Sequence, residues 1–213
     1  MTQPIGLLVD FGGVLTSSVT ASFEAHERSL GIEPGLLAGL LRDDAEAARM
    51  LVEHECGRLP DAAFEDGLAE RAARAGVQLP ARGLIAGLQA GLTPDAPMID
   101  HVRRLHDAGT PVAVVSNALG ANCYDGYDLR SLSDVIVLSN ELGVRKPSRA
   151  IYAKAAVELG LEPSQCVLVD DVQHNLDGAA RLGVTGVLHV SATSTIAELD
   201  VLGLHAKIPN GVP

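Results

Sequence analysis

Six polar residues whose chemistry could serve one site stand at the ends of short apolar runs or in the loop that follows one. They are Asp10, Ser116, Asn117, Lys146, Asp170 and Asp171. Carboxylate oxygens are hard ligands that hold Mg²⁺, and a cation, a hydroxyl group and an ammonium group can together neutralise a phosphoryl group. This set of side chains therefore favours a magnesium and phosphate site over most other kinds of site.

The apolar runs that carry these residues have the length and composition of buried parallel strands. They lie at residues 5–10, 111–117, 134–140, 166–171 and 185–190. Helical patterns lie between them, at residues 95–109, 148–160 and 175–183. Alternating strands and helices predict an α/β fold with a doubly wound, mostly parallel sheet. Because ligands bind at the carboxyl ends of the strands in such a sheet, we expect the polar residues to converge there.

Two of the helical patterns carry specific signals. In residues 95–109 the side chains of Met98, Ile99, Val102 and Leu105 share one face, and Gly109 ends the pattern. In residues 148–160 Ser148 has the position of an N-cap. Both patterns predict amphipathic helices that pack on the sheet.

Residues 17–92 break the alternation of strands and helices, because they contain amphipathic helical patterns and no valine-rich strand. The segment follows the first strand and its glycine turn directly. We therefore predict a helical insertion at residues 17–92, connected to the rest of the chain by two linkers.

The formal net charge of the 213-residue chain is -11 at pH 7, and no cluster of Lys and Arg offsets it locally. Such a field repels nucleic acid and anionic lipid, so we expect neither as a partner. A bound divalent cation can override the field within a small site. An anionic substrate therefore remains compatible with the charge.

The cysteines are Cys56, Cys123 and Cys166, which are far apart and form no CxxC pair. We interpret them as buried thiols of a reducing compartment. The sequence shows no basic leader and no apolar run of membrane-spanning length. We expect a cytoplasmic protein, either a monomer or a homodimer.

Four motifs resemble those of the haloacid dehalogenase superfamily, most of whose members are phosphatases. In chain order they are "VDFGGVLT" with Asp10, "VVSNA" with Ser116, "GVRKPSRAIY" with Lys146 and "VLVDDVQHNLDGAARLGV" with Asp170 and Asp171. Each is short, but all four stand at predicted strand ends and together span nearly the whole chain. The resemblance implies a Rossmann-like core at residues 1–16 and 93–213.

The helical insertion resembles the cap of the subfamily whose caps follow motif one, and "ECGRLPDAAFEDGLA" resembles a common segment of those caps. The resemblance implies a cap domain at residues 17–92. It also implies a small phosphorylated metabolite as substrate, whose identity depends on cap side chains that the motifs do not define.

The resemblance also assigns roles to residues. Asp10 would be the nucleophile that attacks phosphorus and forms an aspartyl phosphate. Its other oxygen, the backbone carbonyl of Gly12 and a motif-four carboxylate would hold Mg²⁺. The loop can be aligned in two ways, so that carboxylate is Asp170 or Asp171, and we favour Asp170.

The phosphoryl oxygens would be bound by Ser116, Asn117 and Lys146, and Lys146 would also pair with Asp10. His174 and Asn175 lie in the motif-four loop and are candidates for supporting contacts.

Gly12 is a departure from the family pattern, which usually places an Asp two residues after the nucleophile. That Asp protonates the leaving oxygen and then activates water, and positioned acid or base catalysis is worth about 10²- to 10⁴-fold. We expect a phosphatase in which a cap residue, the substrate or water supplies the proton. Such an enzyme should prefer leaving groups of low pKa, as in anomeric, acyl or aryl phosphates.

Two alternatives stay open on the same sequence. A catalytically degenerate domain would bind a phosphorylated ligand or a protein partner without useful turnover. A 2-haloacid dehalogenase is disfavoured, because those relatives usually have an aromatic residue at the position of Gly12 and use no Mg²⁺. Phosphonate cleavage needs a cap lysine, and residues 17–92 contain none.

Overall fold

The structure, a computed structural model, describes residues 5–80 and 82–205. Its centre is a sheet of five parallel strands in the order β3-β2-β1-β4-β5. The strands are β1 (Gly6–Val9), β2 (Val112–Ser116), β3 (Val135–Leu138), β4 (Cys166–Asp170) and β5 (Thr185–Leu188). Each lies within two residues of its predicted bounds. The predicted α/β fold with a parallel, Rossmann-like sheet is confirmed.

Ten α-helices occur within the described ranges. They are α1 (Val19–Ser29), α2 (Leu36–Asp43), α3 (Ala45–Glu55), α4 (Asp61–Arg74), α5 (Leu84–Ala90), α6 (Ala96–Asp107), α7 (Ser139–Leu142), α8 (Arg149–Glu158), α9 (Gln173–Ala180) and α10 (Ala192–Val201). The predicted face of α6 is buried at Met98, Val102 and Leu105. The predicted cap of α8 is also present, because the Ser148 side chain accepts a hydrogen bond from the backbone N–H of Ala150.

The strand sequences are continuous apolar runs because helices cover both faces of the sheet, so that side chains on both sides are buried. Leu7 and Val9 of β1 point into a cluster built with α6 and α10, whereas Leu8 points into a cluster built with α8 and α9. All three residues are fully buried. The core therefore has three layers, with the sheet in the middle.

Helices α1 to α5 form a third hydrophobic cluster around residues such as Leu37, Phe64 and Leu88. The chain leaves and re-enters the sheet layer through two adjacent segments. The backbone N–H of Ser17 donates to Thr93 O at 2.7 Å, and that of Asp95 donates to Leu15 O at 2.9 Å. The two linkers are thus hydrogen-bonded to each other.

Within the predicted helical insertion, an amphipathic pattern runs through residues 35–57 of the sequence, but the structure divides it into two helices. The pattern through residues 35–57 breaks at Asp44, whose backbone is extended and whose side chain accepts from the backbone N–H groups of Glu46 and Ala47. Asp44 caps α3 and so ends α2. A short acidic side chain at a helix start commonly does this.

Two smaller expectations can be compared with the structure. The three cysteines are buried free thiols, as predicted. Across residues 5–80 and 82–205, every helix is too short or too polar to cross a lipid bilayer.

Candidate active site

Three of the predicted site residues stand at the ends of adjacent strands. Asp10 follows β1, Ser116 ends β2 and Asp170 ends β4, and β1 lies between the other two in the sheet. All three residues are buried, with Asp170 completely inaccessible. The parallel register therefore brings residues that are far apart in sequence to one edge of the sheet, as predicted.

Lys146 joins two of these carboxylates. Its Nζ lies 2.6 Å from Asp10 Oδ2 and 2.7 Å from Asp170 Oδ2, and its side chain is 1% exposed. Burial alone would lower the pKa of Lys146, but the two carboxylates outweigh it and raise that pKa above its ordinary value. Lys146 is therefore a permanent buried cation in this site.

Asn117 holds Lys146 in place through the backbone. Its Oδ1 accepts from the Lys146 N–H at 2.8 Å, and its Nδ2 donates to Lys146 O at 3.2 Å. The side-chain amide of Asn117 is thus engaged with the loop that carries Lys146. Asn117 also lines the cavity, and its predicted phosphoryl contact stays a prediction.

Asp170 is enclosed by protein contacts. Its Oδ1 accepts from the Val172 N–H and from Asn175 Nδ2, each at 2.9 Å, and its Oδ2 contacts Lys146. Asn175 therefore makes a supporting contact of the predicted kind, and Tyr152 donates to its carbonyl at 2.9 Å. Sequence analysis did not identify Tyr152 as a residue near the site, because only its place in a predicted helix was apparent.

Asp171 differs from its neighbour because it is only partly buried and lines a cavity, which Asp170 does not. Its carboxylate lies so close to Gly13 that a Cβ at this position would overlap it. Gly13 also has a φ of 80°, a value that favours glycine. Which of Asp170 and Asp171 contacts a metal first stays a prediction, and the structure adds that Asp171 lines the cavity.

The three carboxylates fit a divalent cation. Asp10, Asp170 and Asp171 each offer an oxygen, and these oxygens lie within 4.8 Å of one another. Burial raises the pKa of Asp10 to about 8, with Lys146 opposing the shift and Asp170 adding to it. If all three carboxylates are ionised, Lys146 balances only one of their charges, and a divalent cation would favour the ionised form of Asp10. Hard oxygen ligands of this kind suit Mg²⁺.

The cavity has a volume of about 340 Å³. On the strand side it is lined by Asp10, Gly12, Asn117, Leu119, Arg145, Lys146, Pro147, Asp171, Val172, His174 and Asn175. On the side of α1 to α3 it is lined by Val19, Thr20, Phe23, Leu41, Leu51 and Glu55. Residues of the helical segment thus face the predicted site. A second cavity of similar volume, beside His54 and Asp61, contains none of the predicted site residues.

Gly12 lines the cavity and faces Val19 of α1. A Cβ at Gly12 would lie 2.9 Å from Val19 Cγ2, which is too close without a shift of the valine.

Sequence analysis did not identify two charged residues that line the cavity, Glu55 and Arg145. Both lie inside sequence segments that carried the resemblance, but neither is at a predicted strand end.

The sequence and the fold both match known proteins. Residues 6–183 match the model of the haloacid dehalogenase-like hydrolase family. The chloroplast flavin mononucleotide hydrolase 1 of Arabidopsis thaliana is 33% identical over 67 residues, which are 32% of this chain and 27% of the relative. The glyceraldehyde 3-phosphate phosphatase of Methanopyrus kandleri is 28% identical over 102 residues, which are 46% and 44% of the two chains.

The matches span less than half the length of these two curated relatives. A solved structure of a family enzyme from Bacteroides thetaiotaomicron, in complex with magnesium and inorganic phosphate, aligns with a TM-score of 0.59 and 19% identity. The alignment covers 87% of this chain and 93% of that one, and at this identity it shows the fold alone. Because one family model spans every strand end that carries a site residue, the chain belongs to the haloacid dehalogenase-like hydrolases.

Proposed function

We propose that this hydrolase is a Mg²⁺-dependent phosphatase that acts on a small phosphorylated metabolite through an aspartyl phosphate on Asp10. The observation that carries the proposal is the position of Asp10. It lines the cavity while its Oδ2 is paired with the buried Lys146 ammonium. A carboxylate aimed at a cavity, with cationic neighbours, is suited to attack an anionic phosphoryl group.

The reaction has two halves. In the first, an Asp10 oxygen attacks phosphorus, the bond from phosphorus to the leaving oxygen breaks, and its electron pair stays on that oxygen. In the second, water attacks the phosphorus of the aspartyl phosphate, which releases inorganic phosphate and restores the Asp10 carboxylate. Lys146 lies close enough to Asp10 to stabilise negative charge in both halves.

Asp10, the backbone carbonyl of Gly12 and Asp171 would hold Mg²⁺. Asp171 is preferred to Asp170, whose two oxygens already contact Lys146, Val172 and Asn175. When bound, the cation would neutralise phosphoryl oxygens and favour the ionised form of Asp10.

Ser116 is the other candidate for a phosphoryl contact. Its hydroxyl makes a long, 3.5 Å contact to Asn117 O. A contact of that length is weak and can be exchanged for a phosphoryl oxygen. Asn117 would act through Lys146, whose backbone it holds.

We assign residues 1–16 and 93–213 to a catalytic core and residues 17–92 to a cap that closes over the cavity. The assignment is supported by the cavity lining, since α1 to α3 contribute Val19, Phe23, Leu41 and Leu51 opposite the strand ends. These side chains form an apolar compartment for the organic part of the substrate. Gly12 offers no acid, so without another proton donor in the cavity aryl, acyl and anomeric phosphates should react faster than alkyl phosphates.

The test is inorganic phosphate release from a panel of aryl phosphates and phosphometabolites, with Mg²⁺ and with EDTA. Asp10→Asn is the test variant, and Asp125→Asn, an exposed Asp outside the cavity, is its control. We expect release that needs both Mg²⁺ and Asp10 and that survives in the control. Tight phosphate binding without release would indicate the degenerate domain, and chloride release from 2-chloropropionate would indicate a dehalogenase.

A further inference from the structure

The cavity needs a proton donor that Gly12 does not provide. Its titratable and charged side chains are Asp10, Glu55, Arg145, Lys146, Asp171 and His174. Asp10, Lys146 and Asp171 already have roles in the proposed function, and a guanidinium group such as Arg145 stays protonated. His174 is exposed at the start of α9. Glu55 is the remaining acid, and it belongs to the helical segment opposite the strand ends.

The Glu55 carboxyl group is largely shielded from solvent, and its Oε2 is in an ion pair with Arg145 but accepts no hydrogen bond from the described residues. Its side chain is 12% exposed, and its Oε2 lies 2.7 Å from Arg145 Nε. The Arg145 Nε–H donates instead to Lys146 O at 3.1 Å. The ion pair therefore leaves the hydrogen-bonding capacity of Oε2 unused, on a side chain that lines the cavity.

The backbone fixes the place of this carboxyl group. Glu55 is the last residue of α3, and its carbonyl accepts a hydrogen bond from the Ser139 hydroxyl. The same hydroxyl accepts from the Ala118 N–H at 2.9 Å, just after β2. Ser139 is completely buried. The end of α3 is therefore attached to the strand edge that carries Asp10.

The acidity of Glu55 suits proton transfer near neutral pH. Burial raises the pKa of Glu55 to about 7, and the neighbouring Arg145 and Lys146 cations partly oppose this rise. A general acid works best when its pKa lies near the working pH, because both protonation states are then populated.

We propose that Glu55 is the general acid and base that replaces the Asp absent at Gly12. The inference rests on the proposed phosphatase function. In the first half-reaction the Glu55 carboxyl group gives its proton to the leaving oxygen as the bond to phosphorus breaks. In the second half-reaction the Glu55 carboxylate takes a proton from the water that attacks the aspartyl phosphate. Glu55 thus regains in the second half-reaction the proton that it gave up in the first.

The test compares leaving groups in Glu55→Gln, which keeps the size of the side chain and removes its proton. Glu53→Gln is the matched control, since Glu53 lies on the same helix and also pairs with an arginine, Arg58, but is absent from the cavity lining. For alkyl phosphates we expect Glu55→Gln to lose about 10²- to 10⁴-fold in kcat. For p-nitrophenyl phosphate, whose leaving group needs little protonation, the loss in the phosphoryl-transfer step should be much smaller.

The outcomes separate the inference from the proposed function. Equal losses on both substrates in the phosphoryl-transfer step, measured as the single-turnover rate of leaving-group release, or no loss in that step, would overturn the role of Glu55. No phosphate release from any substrate by the wild type would overturn the phosphatase proposal itself. If Glu55→Gln does not fold, Glu55→Asp keeps the carboxyl group and should retain measurable alkyl phosphate turnover. Selective loss of aryl phosphate turnover in that variant would overturn the inference.

Discussion

Gly13 places a backbone turn against the carboxylate of Asp171, which we propose as a metal ligand. Its φ of 80° and the contact of its Cα region with Asp171 both require a residue without a Cβ. The structure therefore explains one of the two glycines of motif one by the position of Asp171 and the other, Gly12, by the packing of Val19. Neither explanation can be obtained from the turn sequence alone.

We predict that Gly13→Ala displaces the Asp171 carboxylate and weakens Mg²⁺ binding about 10- to 100-fold, as expected when a contact that orients a metal ligand is lost. Isothermal titration calorimetry with Mg²⁺ measures this. Gly31→Ala is the control, because Gly31 has a similar φ of 70° and no atom near its Cβ position. Equal Mg²⁺ affinity in the two variants would contradict the assignment of Asp171.

Lys146 shows why stability and catalysis must be separated at this site. Removing one member of a buried ion pair typically costs about 3–5 kcal/mol, because the other charge is left buried without a partner. Lys146 contacts both Asp10 and Asp170. A Lys146 variant that loses activity would therefore not distinguish a catalytic role from a folding defect, and Asp10→Asn is the sharper test.

At the scale of elements, the C-terminal end of α3 is joined to the sheet by a small number of polar contacts. Ser139 bridges Glu55 O and Ala118 N, and Arg58 donates to Gly143 O at 2.9 Å. These contacts set the distance between the helical segment and the strand ends. The shape of the cavity depends on them.

We predict that Ser139→Ala lowers the free energy of unfolding by about 1–3 kcal/mol, since two buried backbone groups lose a partner. Hydrogen exchange should rise at the end of α3. Ser133→Ala is the control, because Ser133 is also buried but its hydroxyl bonds only to the nearby Leu129 O. Faster exchange at α3 in both variants would show that the effect is a general loss of stability.

The same scale shows which elements the sequence could predict. Buried parallel strands read as short apolar runs, and α6 and α8 have clear faces and caps, so their positions follow from local patterns. The division between α2 and α3 was missed because an amphipathic period continues across it. There the side chain of Asp44 accepts hydrogen bonds from the first turn of α3, which starts a new helix although the apolar spacing continues.

At the scale of the whole molecule, the part of the candidate site that depends on the order and direction of the strands could be predicted from the sequence. The residues at strand ends meet because parallel strands end at one edge, which a strand prediction is enough to establish. Glu55 and Arg145 meet through a contact between a helix end and a distant loop. No local period encodes that contact. Our proposal of Asp171 over Asp170 as the metal ligand likewise rests on the three-dimensional positions of Lys146 and Asn175 around Asp170.

The central claim is that Asp10 becomes phosphorylated during turnover, and trapping of that intermediate tests it most directly. Wild-type protein with Mg²⁺ and an aryl phosphate would be quenched within the first turnover, digested and analysed by mass spectrometry. We predict one phosphoryl group, labile to hydroxylamine, on the peptide that contains Asp10 and none in Asp10→Asn. Turnover with an unmodified Asp10 peptide, or with the phosphoryl group on another residue, would contradict the account.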